Sequence, residues 1–118
     1  MTERRKWTPK ELYGFWNARY FGGRLPNIRV GFSKVLCQGK DFHRLGATEF
    51  WFKGDRKYPV RILLNDRYKN EFGVWAATLL HEMVHVQQWR TPTDQMHGRK
   101  FQKRMKQLAA AGAFNRLW

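Results

Sequence analysis

Within the apolar run from Val74 to Trp89 stand two histidines four residues apart, in His81-Glu82-Met83-Val84-His85. Residues i and i+4 share one face of an α-helix, so these imidazoles can converge on one metal ion. Glu82 sits one step round the helix, placed to reach a water held by that ion. It is also the only formally charged residue between Glu71 and Arg90. A lone carboxylate in such apolar company is costly unless something compensates it, and a dication would. These residue types at this spacing point to zinc-dependent hydrolysis.

A catalytic zinc usually takes three protein ligands and leaves a fourth position for water. After the motif, His97 is the only histidine and Asp94 the only carboxylate. His97 is favoured as third ligand because it heads a stripe with Phe101, Met105 and Leu108, at spacings of four and three, that faces a core. Asp94 is read as a helix cap, with a hydrogen bond from a ligand imidazole as its alternative. One Zn2+ per chain is the expected cofactor. Bound zinc lowers the pKa of water from about 15.7 to about 7. Glu82 would take that proton as general base and hand it to the leaving amine. A second electrophile usually steadies the oxyanion; His43, Tyr68 and several arginines are open candidates. His43 is otherwise an ordinary loop histidine.

The elements that position these groups follow from local pattern. Thr8-Pro9-Lys10-Glu11 supplies an N-cap, a proline at the first helical position and a capping box. A helix over about 9–21 follows, with Leu12, Phe15, Trp16, Arg19 and Tyr20 on one side, ended by Gly22-Gly23. Residues 1–7 read as a loose basic arm. Alternation at Ile28, Val30 and Phe32 predicts a strand, and 34–44 a loop. Two more strands are predicted at 45–52 and 58–64, joined by a turn at 53–56, with Pro59 at the start of the last. The sheet is expected to be small, mostly antiparallel and meander-like. The motif helix runs over about 71–90 and stops before Pro92. A last helix is expected over about 95–111, capped by Thr93-Asp94 and closed by Gly112. The fold class is α+β.

Composition sets the outer limits. A chain of 118 residues with 42% apolar and 16% aromatic residues fits one folded domain. Cys37 is the single cysteine, which excludes internal disulfides and cysteine-rich zinc modules. It reads as an inert thiol. The basic N-terminus has no apolar segment behind it, so no signal peptide is read, and the longest apolar run is too short to span a membrane. A cytoplasmic, monomeric protein is the default. The formal net charge of +14 points to a polyanionic partner, most often nucleic acid. Arg99, Lys100, Lys103 and Arg104, on the surface of the last helix, are the candidate contacts. The aromatics at 50–52 read as core, with base stacking by Trp51 or Phe50 as the alternative.

Three blocks together resemble the SprT-like family of zinc metalloproteases. Phe15-Trp16-Asn17-Ala18-Arg19-Tyr20-Phe21, followed by Leu25-Pro26, is similar to the family's F-N-x-x-(Y/F)-F…L-P opening. Thr78-Leu79-Leu80 leading into His81-Glu82-Met83-Val84-His85 is similar to its T-L-x-H-E-M-x-H core. His97-Gly98-Arg99-Lys100-Phe101 is similar to its H-G-x-x-F block. The likeness covers about residues 12–105, and its last two blocks are the specific ones. It implies zinc ligands His81, His85 and His97, Glu82 as catalytic acid/base, a compact zincin-like fold, and a protease that cleaves proteins bound or crosslinked to DNA. Val84 and Val86 stand where Cys or Ala is often found in the family. Many members continue into a cysteine-rich zinc ribbon; with Cys37 the single cysteine of these 118 residues, DNA is expected to be met through the domain's own basic surface or a partner. A non-catalytic zinc-stabilised nucleic-acid-binding module and a cytosolic metallopeptidase unrelated to DNA are the competing readings.

Overall fold

Thr8 and Glu11 open the first helix reciprocally: the Glu11 amide donates to Thr8 Oγ1 at 3.2 Å, and the Thr8 amide to Glu11 Oε1 at 3.1 Å. In this computed structural model, which describes residues 6–37 and 44–115, that helix is α1, Pro9–Tyr20. Gly22 and Gly23 end it at φ +61° and +70°, angles that side-chain-bearing residues resist. Its buried face is Pro9, Leu12, Tyr13 and Trp16. Tyr13 therefore replaces the expected Phe15, which is 49% exposed and packs instead on Trp7, ring centroids 5.3 Å apart. Trp7 is thus packed rather than loose. Residues 1–5 of the expected arm, and His43, lie outside the described residues.

Three strands follow: β1 (Arg29–Ser33), β2 (Gly46–Lys53) and β3 (Arg56–Asn65). A short 3-10 turn, Lys34–Cys37, leads out of β1. Gly54, at φ +62°, makes the tight turn between β2 and β3. The sheet order is β1-β3-β2, with β2 antiparallel and β1 parallel to β3, so the sheet is mixed and is not the expected meander. The physical reason is burial. Ile62 and Leu64 of β3 are wholly inaccessible, and the central place shields that strand on both edges. β1 pairs only with Arg61 to Asn65, leaving the outer half of the β2–β3 hairpin two-stranded. Pro59 is interior to β3 rather than at its start. It lies in that outer half, beside the register shift between Glu49 and Phe50, where a missing amide is tolerated.

Helix α2, Phe72–Gln87, packs across the sheet. It buries Trp75, Ala76, Leu79, Leu80, Met83, Val84 and Val86, nearly its whole circumference. A helix apolar on all sides belongs in the interior. The last helix, α3, spans Arg99–Ala110 and docks through Phe101 and Leu108. Its N-cap is Gly98, not the expected Thr93-Asp94, and a separate 3-10 turn occupies Thr93–Gln95. The architecture is α+β. Among the described residues, no helix is long and apolar enough to cross a membrane.

Candidate metal centre

Two turns of backbone and one bend bring three imidazoles together. His81 and His85 project from the same face of α2. His97 comes from the bend before α3, not from the helix itself, so the stripe that nominated it begins at Phe101. The bend is tight: a Cβ on Gly98 would lie 3.1 Å from the Gln95 carbonyl oxygen. The three Nε2 atoms stand 3.2 Å (His81–His85), 3.0 Å (His85–His97) and 3.3 Å (His97–His81) apart. Phe101 is the floor beneath them. Its ring stacks on His85 at 4.7 Å and 15°, and meets His81 and His97 edgewise at 4.8 and 5.1 Å.

Hydrogen bonding alone cannot satisfy this triangle. Each Nε2 of a neutral imidazole is either an N–H or a lone pair, so two of three mutually touching nitrogens must be alike. A cation at the centre removes the conflict, since all three then present lone pairs. The size fits as well. In a tetrahedron the edge is about 1.63 times the centre-to-vertex distance, or about 3.3–3.4 Å for zinc–nitrogen distances of about 2.0–2.1 Å. The observed edges lie just inside that value. Electrostatics agrees. Burial, then the neighbouring His81 and His97 and Lys57, depresses His85 to about 4, and burial with His97 lowers His81. Neutral imidazole is the form that ligates.

Glu82 is 6% exposed and lies beside the triangle, its Oε2 3.8 Å from His81 Nε2. Thr48 of β2 donates from Oγ1 to Glu82 Oε1 at 2.9 Å, which fixes the carboxyl and leaves Oε2 toward the histidines. Burial pushes Glu82 up to about 7, against the opposing pull of the Thr48 hydrogen bond and the Arg44 charge. Gly46 lets β2 come this close: a Cβ there would sit 2.6 Å from Thr78 Cγ2 and 3.5 Å from Glu82 Cγ. Asn65, 1% exposed, ties down the chain leading into β2. Its Nδ2 donates to the carbonyls of Leu36 (3.2 Å) and Arg44 (2.8 Å).

The three histidines, Glu82, Thr48 and Gly46 line a cleft of about 850 Å³ that also takes in Phe50, Phe52 and Lys57 from the hairpin. Among the electrophiles left open, Arg44 reaches this cleft and Tyr68 does not line it. Thr48, Gly46 and Asn65 were not singled out from sequence. Only Gly46 carried a signal there, as a glycine within a strand pattern. Of the candidate polyanion contacts, Arg99, Lys100 and Lys103 are exposed. Arg104 is committed to the fold: it donates to the Tyr20 carbonyl at 2.5 Å and to Gln87 Oε1 at 3.0 Å, and lies over Phe21.

An α+β fold with a histidine triad able to hold a metal ion beside a buried carboxylate defines a metallopeptidase-like domain. A family model, described as the SprT-like family, matches residues 10–116. The chain belongs to the SprT-like family. Comparison with curated proteins and with solved structures gives no significant match.

Proposed function

We propose that this chain is a zinc metallopeptidase that cleaves proteins bound or crosslinked to DNA. The observation that carries the reading is the mutual contact of three Nε2 atoms next to a buried, oriented carboxylate. Zinc held by His81, His85 and His97 would supply Lewis acidity toward a carbonyl and a water. Glu82 accepts the proton of the attacking water at Oε2, because Thr48 occupies Oε1. The water oxygen bonds to the carbonyl carbon, the C–N bond breaks, and Glu82 returns its proton to the amine nitrogen. Arg44, at the cleft and close enough to act on Glu82, is our choice for steadying the oxyanion.

β2 is an edge strand, and its residues Gly46, Thr48, Phe50 and Phe52 line the cleft. An extended substrate backbone can pair with such an edge. The net charge of +14 and the exposed Arg99, Lys103 and Lys106, at i, i+4 and i+7 of α3, support DNA as the place of action.

Glu82→Gln tests the mechanism. The variant should lose peptide cleavage by about 10²–10⁴-fold while keeping bound zinc and DNA affinity. Cleavage at the wild-type rate would overturn the role of Glu82. If DNA neither binds the protein at modest salt nor accelerates cleavage of a DNA-bound protein, a cytosolic peptidase with incidental charge replaces this reading.

A further inference from the structure

The cleft that holds the histidines is short of negative charge. Apart from the imidazoles, its ionisable lining is Arg44, Lys57 and Glu82, so among the described residues Glu82 is its one carboxylate. Lys57 stands opposite Phe52 in the β2–β3 register, and both residues line this cleft. Lys57 is half-buried, and its partners are soft ones: Nζ donates to Met96 Sδ at 3.8 Å and lies 4.9 Å from the Phe50 ring centroid. Among the described residues it has no carboxylate within ion-pair distance. Met96 directly precedes His97, so the ammonium stands on the hairpin side of the histidine triangle. Its charge is felt there, joining burial, His81 and His97 in depressing His85. A half-buried ammonium resting on sulfur and a π face is weakly compensated, and a carboxylate would complete it with a charge-assisted hydrogen bond.

We infer that Lys57 selects for an acidic side chain in the substrate, on the hairpin side of the bond that is cut. The inference rests on the proposed peptidase reading and adds a substrate class to it. A peptide paired with the β2 edge is extended, so its alternate side chains point the same way. One of them can lie along Phe50 and Met96 with its head at Lys57 Nζ. Glu suits this place better than Asp, because its longer apolar stem covers more of the phenyl and thioether walls. Lys or Arg at the same position would meet like charge from Lys57.

Quenched-fluorescent peptides of one neutral sequence test this, with a single Glu moved through the positions and Gln at the same place as reference. At one position the wild type should show a kcat/KM for Glu about five-fold or more above that for Gln. Lys57→Met keeps an apolar stem and removes the charge, and should bring that ratio to about one. Lys57→Glu should turn the preference round, so that Lys outranks Gln there. The same orders should appear in peptide affinity, read by fluorescence anisotropy in a Glu82→Gln background that holds a peptide without cleaving it. Each ratio is internal to one variant, so a displaced Met96 or partial misfolding slows both peptides and leaves the ratio where it was. No discrimination between Glu and Gln by a wild type that cleaves both, or a ratio that survives Lys57→Met, overturns the inference and leaves the peptidase reading standing. Preference for a free over an amidated C-terminus, with none for internal Glu, makes the recognised carboxylate a chain end and overturns it too. A zinc-loaded wild type that cleaves no peptide removes the peptidase reading and this inference with it.

Discussion

Replacing Glu82 with Gln should stabilise the metal-free protein at neutral and alkaline pH. Gln keeps the shape and can still accept from Thr48 Oγ1, but it carries no charge into a site where the carboxyl is 6% exposed. Burial raises Glu82 from its ordinary 4.5 to about 7. A carboxyl whose folded pKa is raised favours the fold while protonated; that contribution is complete below pH 4.5 and is lost as pH rises through about 7. Between those values, at about 1.36 kcal/mol per pH unit, the wild type loses about 3 kcal/mol relative to the variant. Urea unfolding of chelator-treated protein at pH 4, 6 and 8 reads it directly. The two proteins should have similar stability at pH 4, and the variant should lead by about 3 kcal/mol at pH 8. Zinc should shrink the lead, because a dication beside Glu82 stabilises its charge. A variant no more stable than wild type at pH 8, or a gap that narrows as pH rises, would refute the burial argument.

Other perturbations follow from the same geometry. Gly46→Ala puts a methyl 2.6 Å from Thr78 Cγ2, so it should cost about 1–3 kcal/mol in denaturant unfolding and slow peptide cleavage by displacing Glu82; unchanged stability and rate would mean β2 does not seat there. Asn65→Ala strips the Leu36 and Arg44 carbonyls and the Arg67 amide of their partner, and should cost about 1–3 kcal/mol in the same assay. Changing Arg99, Lys103 and Lys106 together to Gln should reduce the salt slope of duplex binding by up to about 2.7. Arg104→Gln should instead lower stability with little change in slope, since that guanidinium is bonded within the fold.

Much of the centre was legible because it depends on local rules. Two histidines at i and i+4 in an apolar run fix both a helix and a shared face, and α2 carries them so. The capping box of α1 was equally local. Other parts depend on distant chain. The central place of β3 and its parallel pairing with β1 come from burial on both edges, which a strand's own alternation does not encode. His97 reaches the site by a bend and Gly98, so the helical stripe nominated a residue that does lie beside His81 and His85, but for a reason that does not apply. Arg104 looked like one surface cation among several, yet contacts 84 residues away in sequence remove it from the surface set. Thr48 could be recognised only once β2 was known to cross α2 at Glu82.

The central claim is that His81, His85 and His97 act as one metal site, and a zinc titration of metal-free protein against a competing chelator tests it most directly. Wild type should bind one zinc per chain. His97→Ala should bind it more weakly by more than about 100-fold, because loss of a direct ligand exceeds the 10–100-fold cost of losing an outer contact. Equal stoichiometry and affinity in the two proteins, or no zinc bound by wild type, would contradict the account.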